Sequence, residues 1–312
     1  MNNKTVKGLS VMGESPIIWK RDFTFRGRKL FYNRVPFNNR AERAVEIPLA
    51  FDFLARQQSR AQAAYNKGED KILEVGNVLQ HYENALSDAT GIRCRRIVDK
   101  FEVGYSIDNI DIIDLDSQEQ YSTIIAVSTM EHVGQNCTPT GEFGEQNKAI
   151  DLEGPLKAIA KVYDLLAIGG QALLTVPFGK LTDGGWYVQF SSEYLDLLVT
   201  KYGIPQEALA VGFLKRLAIE SKWSNPRQLW VETEADELRH IKYDNIWSGA
   251  RAIAVIELTK LAKTFSLNLA VPPTPLHYDR PRLAKSIVFT ASLLLRSLST
   301  TLARLSLFPR QE

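Results

Sequence analysis

Apolar and polar positions alternate along this 312-residue chain in blocks that predict helices and strands in turn from about residue 45 onward. Residues 47–60 read as a helix. Ile72, Leu73 and Val75 then make a short apolar run, the kind a parallel strand buried on both faces needs, and Gly76 ends it. A helix over 78–89, a strand over 94–98, and further strands near 109–112 and over 123–127 follow. The stretch 156–166 has amphipathic helical spacing and is closed by Gly169-Gly170, after which 171–176 and 250–258 read as strands. Strand and helix signals in alternation predict an α/β fold, a doubly wound and mostly parallel sheet covered by helices.

The two ends break this rhythm. Residues 1–45 are rich in Arg, Lys, Phe and Asn with little periodicity, and predict an irregular extension or a short hairpin around 23–32. The segment 271–281 holds four prolines in eleven residues and reads as a stiff linker. Beyond it, Leu283, Ile287, Ala291, Leu294, Leu298, Leu302 and Leu305 recur at spacings of three and four, flanked by Arg282, Lys285, Arg296, Arg304 and Arg310. That pattern predicts a basic amphipathic helix, docked on the body or a second subunit, or lying on an anionic membrane surface. Its uncharged stretch, 286–295, is ten residues long, whereas crossing a bilayer takes roughly 20. The expected organisation is therefore an extension over 1–45, a catalytic body over 46–270, and a linker with helix over 271–312.

Composition narrows the classes. With 45% hydrophobic and 24% charged residues the chain is an ordinary globular one. A formal charge of +2 is too small to imply nucleic acid, although basic residues gather in 20–43 and in the last 31 residues. Two cysteines, Cys94 and Cys137, make no disulfide framework, and no Cys/His spacing suits zinc. Because the first residues also lack a signal-peptide apolar core, a cytoplasmic setting is expected, with the inner face of the membrane as the place of the tail under its membrane-surface alternative.

The most informative chemistry lies in Lys71-Ile-Leu-Glu-Val-Gly-Asn-Val-Leu-Gln-His-Tyr82, which has the strand, tight turn, helix order of a nucleoside-cofactor site. Asp99 ends the next apolar run, 25 residues after Glu74, about where the second strand of such a fold offers a carboxylate to ribose hydroxyls. Val78 and Gln80 stand where a dinucleotide fold places its later glycines, which argues against NAD.

Taken in order, these segments resemble the class I S-adenosylmethionine-dependent methyltransferases over roughly 45–260. Leu73-Glu-Val-Gly76 is similar to the first motif of that family, Ile97-Val-Asp99 to the acidic end of its second strand, and Ile110-Asp-Ile112 to the turn after its third. The run 121–133, ending Ser128-Thr-Met-Glu-His-Val133, resembles its fourth strand and following helix start, and 169–177 its glycine hairpin and fifth strand. The resemblance implies a Rossmann-like methyltransferase fold with seven strands, the last antiparallel, and S-adenosylmethionine as cofactor.

It also implies roles. Gly76 would admit the methionyl part with Glu74 near its ammonium, Asp99 would accept the ribose hydroxyls, and Asp111 would accept from the adenine amine beside the Ile112 backbone. Ser128 would line the sulfonium region, and Glu46 would close over the cofactor. Methyl transfer needs alignment first and proton removal second. His132, just past the fourth strand, is the candidate base, with Glu131 to orient it or to bind a substrate hydroxyl; capping, packing and solvated-face roles stand beside these. Trp186, Tyr187 and Gln189 belong either to an acceptor pocket or to the core, while His81 and Tyr82 read as packing groups. No metal is expected. The expected activity is methylation, at oxygen, of a small-molecule or a glycan- or lipid-linked acceptor; nucleic acid is not expected as substrate. The alternative is a catalytically inactive relative serving as a partner-binding subunit, which the missing glycines favour.

Overall fold

The computed structural model describes residues 17–63, 71–136, 150–220, 222–244 and 249–280. In chain order its elements begin with the hairpin β1 (Asp22–Phe25) and β2 (Arg28–Phe31), then α1 (Arg43–Ala63), β3 (Ile72–Val75) and α2 (Glu83–Thr90). Next come β4 (Arg96–Val98), β5 (Ile107–Asp108), β6 (Tyr121–Val127), α3 (Gly154–Leu165) and β7 (Leu166–Pro177). A small hairpin, β8 (Thr182–Asp183) with β9 (Val188–Gln189), precedes α4 (Ser192–Thr200), β10 (Leu209–Glu220), β11 (Arg227–Thr233), α5 (Ala235–Leu238) and β12 (Ala252–Thr259).

Eight strands form the central sheet in the order β11-β10-β12-β7-β6-β3-β4-β5. From β7 to β5 all neighbours are parallel, whereas β12 pairs antiparallel with both β7 and β10, and β11 antiparallel with β10. Strand order runs outward from β3 through β4 to β5 and then, on the other side, from β6 to β7, so the topological switch at which open α/β sheets bind ligands beyond the carboxyl ends of their strands lies between β3 and β6. This is a mostly parallel, doubly wound Rossmann-like sheet, with one strand more than the seven expected. The addition is β11, an edge strand turned back from β10.

Strand alternation sorts side chains into two layers. Leu73, Val75, Ile124, Ala126, Leu174, Val176, Ala254 and Ile256 bury on the side of α3 and α4. Ile72, Ile125, Val127, Leu173, Ile253 and Val255 bury on the other, with Val45, Leu49, Phe53 of α1 and Leu86 of α2. Both faces are covered, so these strands read as continuous apolar runs rather than alternating ones. Each large apolar side chain buried this way stabilises the fold by about 1.5–3 kcal/mol.

Helix α1 contains Pro48, which has no N–H to give the carbonyl of Ala44. The Asn33 N–H bonds that carbonyl instead, at 2.9 Å. The extension is thereby stitched to the first turn of α1, and Phe23, Phe25 and Tyr32 of the hairpin join the α1-side core.

Several predicted elements shift. The 78–89 helix divides into a 3-10 turn, Leu79–Tyr82, followed by α2. No strand forms at 109–112; β5 lies earlier, and Asp111 caps a 3-10 turn over Ile112–Asp114 by accepting from the Ile113 N–H. Residues 271–280 run extended along the body, where the Thr274 N–H bonds the Glu153 carboxylate and Leu276 and Tyr278 pack on the core. The amphipathic helix of 283–305, and Cys137, lie outside the described residues.

Candidate active site

Gly76, Asp99 and Ser128 follow directly on the C-terminal residues of β3, β4 and β6, so they stand side by side on the carboxyl edge of the sheet. Gly76 has φ +82°, and a Cβ there would come within 2.2 Å of the Thr129 hydroxyl oxygen. A bare backbone is therefore required at this turn. Asn77 and Glu102 tie the loop after β3 to the loop after β4 by a 2.8 Å bond.

Asp99 is half-buried, and its Oδ1 accepts the N–H groups of Phe101 and Glu102 at 2.9 and 2.8 Å. Those bonds fix the carboxylate and leave Oδ2 to accept from a ligand. Asp111, next along the edge, accepts from the Ile113 N–H at 3.1 Å and pairs with Lys100 at 3.1 Å, while Ile112 is buried behind it.

Glu74 points to the α1 face and is buried, with both oxygens engaged. One accepts from the Leu79 N–H at 2.6 Å and the other pairs with Arg95, whose guanidinium also reaches Glu83. Burial pushes the Glu74 carboxyl above the ordinary range while Arg95 and the Leu79 N–H oppose that shift. With a guanidinium in direct contact, the ionised form is the one this geometry accommodates. Its carboxylate braces β3 against α2 rather than facing the edge.

The end of β6 is more crowded. Ser128 holds φ +41°, an uncommon conformation for a non-glycine residue, and its N–H is bonded to the backbone oxygen of Thr175 at 3.0 Å. Its hydroxyl donates to Glu46 Oε1 at 2.7 Å, and Arg43 pairs with Glu46 Oε2 at 2.7 Å. Glu46 is fully buried on α1, so it joins the helix to the end of β6. Arg43 is raised further above its ordinary range by Glu46, Glu42 and Glu131 acting against its burial.

Glu131 is buried, and its Oε2 has no hydrogen-bond partner. Burial, reinforced by the nearby Glu46 and Glu42, holds its carboxyl well above the usual range. His132 lies 3.8 Å from Glu131 Oε1 through Nε2, too far for a hydrogen bond. Its Nδ1 is 2.8 Å from the Trp186 carbonyl oxygen, which can only accept. Nδ1 must therefore carry the proton, and Nε2 is the basic nitrogen. The Trp186 ring stacks on the imidazole at 5.2 Å and 9°. Desolvation pushes His132 down to about 4; the Trp186 bond and the Asp99 carboxylate oppose that shift and the Arg43 charge adds to it. At neutral pH the ring is uncharged. Gly154, at the start of α3, packs so tightly on the following turn that a Cβ would lie 2.4 Å from the Val133 oxygen, which holds the loop after His132 in place.

Around His132 the aromatic residues form a wall: Trp186 meets Tyr187 at 4.8 Å, and Tyr187 meets Tyr243 at 4.5 Å. Gln189 does not join it; its amide donates to the Lys180 and Ile241 carbonyls. Tyr82 packs on Phe51 and donates to the Asn38 carbonyl, while His81 is exposed. Among the described residues no group of three or more His, Cys, Asp or Glu is arranged to hold a metal.

Sequence reasoning missed Arg43, Arg95 and Tyr243. Arg43 had a signal, its i,i+3 spacing to Glu46 at a helix start, whereas Arg95 and Tyr243 carry none, because their partners are remote in sequence.

No protein-family model and no curated protein matches the chain. Among solved structures it is similar to the N-methyltransferase NodS from Bradyrhizobium japonicum WM9 in complex with S-adenosyl-L-homocysteine, at 11% identity and TM-score 0.35, over 69% of this chain and 88% of that one. A SAM-dependent methyltransferase from Archaeoglobus fulgidus is similar at 14% identity and TM-score 0.35, over 67% of this chain and 94% of that one. A possible histamine N-methyltransferase from Thermotoga maritima is similar at 14% identity and TM-score 0.34, over 68% and 91%. At these values the case for function rests on the strand order and edge geometry of this chain itself.

Proposed function

We propose that this chain is an S-adenosylmethionine-dependent methyltransferase that acts on a hydroxyl of a small-molecule, glycan-linked or lipid-linked acceptor. The observation that carries the reading is His132: a neutral imidazole with Nδ1 committed to the Trp186 carbonyl and Nε2 basic, on the same sheet edge as Asp99 and Gly76. The residues fit the cofactor at two points. Asp99 offers an oriented carboxylate oxygen to a ribose diol, and the Gly76 turn leaves backbone open where a side chain would collide. S-adenosylmethionine supplies a methyl carbon already activated by its sulfonium.

What remains for the protein is placement and proton removal. The aromatic wall of Trp186, Tyr187 and Tyr243 gives an acceptor an apolar face to lie against. His132 Nε2 takes the hydroxyl proton as the oxygen attacks, and the Trp186 carbonyl stabilises the imidazolium that forms. Ser128 and Glu46 fasten α1 over the end of β6. Asp111 would shape the adenine end of the edge through the turn it caps.

Calorimetric titration with S-adenosylmethionine and S-adenosylhomocysteine, with NAD as control, tests the cofactor. Micromolar binding of the first two alone is expected, and absence of both ends the proposal. Transfer of labelled methyl groups to hydroxylated acceptors by the wild type, lost in His132→Ala, tests the base.

A further inference from the structure

Outside the site, the most unusual surface is the far end of the β10–β11 hairpin. β10 pairs with β12 only from Leu209 to Lys215, but with β11 out to Glu220 and Arg227, so the last turn of this arm overhangs the sheet. Because β12 reverses between them, β10 runs parallel to β7. The arm therefore projects beyond the carboxyl edge, the edge that carries Gly76, Asp99 and His132.

At the tip Trp223 is 73% exposed, and Leu217 and Ile219 on the strand leading to it are exposed as well. Phe37 and Val35, also exposed, come from the loop that leads into α1, and Phe37 meets the Trp223 ring edge-on at 5.4 Å. The tip is not loose. The Phe37 N–H bonds the Ser224 carbonyl at 2.7 Å, Arg40 donates to the Trp223 carbonyl, and Asn39 donates to Asn225. Over 34–40 and 217–227 the charged side chains are Arg34, Arg40, Lys222 and Arg227 against the single carboxylate Glu220, which lies 3.7 Å from Lys222 and 3.5 Å from Arg227, so the tip keeps an excess of positive charge.

The tip thus presents exposed aromatic side chains fastened by backbone hydrogen bonds, with cationic side chains beside them. It matches an anionic bilayer surface, where tryptophan settles at headgroup depth and Lys and Arg meet lipid phosphates. We infer that the Trp223–Phe37 tip docks this chain on anionic membrane, with the carboxyl edge of the sheet turned toward the lipid. The inference stands apart from methyl transfer, because it is read from lipid binding alone. Its bearing on function is direct, since the edge so presented is the one that would receive an acceptor.

The test is co-sedimentation of the full chain with phosphatidylcholine vesicles, with and without phosphatidylserine, alongside tryptophan emission. Binding to the anionic vesicles with a blue shift is expected, and binding weakened by about tenfold or more in Phe37→Ala/Trp223→Ala. Lys222→Gln, which removes one exposed cation and its 3.7 Å pairing with Glu220, should weaken binding to the anionic vesicles while shifting thermal melting little. The inference is overturned if wild type ignores anionic vesicles, if it binds both vesicle types alike, or if both variants bind as wild type does. Concentration-dependent self-association abolished by the double variant, without vesicle binding, would assign the face to a second copy of the chain instead.

Discussion

Glu74 and Glu131 are both buried glutamates near the ends of neighbouring strands, β3 and β6, yet their surroundings differ in kind. Glu74 has each oxygen committed, to Arg95 and to the Leu79 N–H. Glu131 has an orphaned Oε2 and two further carboxylates near it, while the nearby Arg43 charge, which opposes their effect, is paired to Glu46. A buried charge that is fully paired holds elements together, whereas a buried acid left unpaired is a cost to stability retained where it meets something the protein does not itself supply. The first is a brace, and the second faces the candidate site.

The largest effect that would break this contrast is at the brace. Glu74→Ala leaves Arg95 buried with only the half-exposed Glu83 as counter-charge, and is expected to destabilise by about 3 kcal/mol or more in urea unfolding. A loss under about 1 kcal/mol would remove the structural role.

On the site side, His132→Ala should cut turnover by about 10²–10⁴-fold with cofactor affinity retained, as measured by steady-state kinetics beside calorimetry. The pH dependence sharpens this. His132 sits at about 4, so the acid limb of kcat should fall as pH drops through about 4 rather than through the ordinary histidine range. An acid limb near 6.5 would mean another group is the base.

Asp99→Ala should weaken cofactor binding by about 1.5–3 kcal/mol, the usual worth of hydrogen bonds to a charged group. Unchanged affinity in a folded variant would take the ribose away from Asp99.

The smallest effect separates the two glutamates by sign. The Glu131 carboxyl is held up in the fold, so the folded chain binds more protons there than the unfolded one. Stability from this group is greatest at low pH and is lost as pH rises above the unfolded carboxylate range. Glu131→Gln removes that loss, and should raise thermal stability at pH 8 more than at pH 5, on the order of 1 kcal/mol. Destabilisation that grows with pH would show that Glu131 is paired after all.

The two halves of the sheet were not equally legible. β3, β6, β7 and β12 have buried stretches covered on both faces, so each carries a mostly apolar run, broken by a few polar residues, that local pattern suffices to detect. β10 and β11 went unpredicted because β11 is the edge strand and β10 lies next to it, and their side chains are mostly of intermediate exposure, which weakens any period in the sequence. β5 is only two residues long, too short to register, and the acidic run around it pulled the expected strand to 109–112.

The sequence by itself determined the alternation of strands and helices, the glycine turn after β3, and the carboxylate and imidazole that follow β4 and β6, because each depends on residues within one turn, strand or helix. It did not determine what those groups are bonded to. Trp186 is 54 residues from His132 and Glu46 is 82 from Ser128, and both contacts exist only because the sheet brings its carboxyl ends together. Tertiary structure alone decided that His132 is neutral with Nε2 basic, that Glu74 is a brace, and that Glu131 Oε2 is buried without a hydrogen bond. Protonation and pairing depend on burial and on the nearest opposite charge, and neither is a property of local sequence.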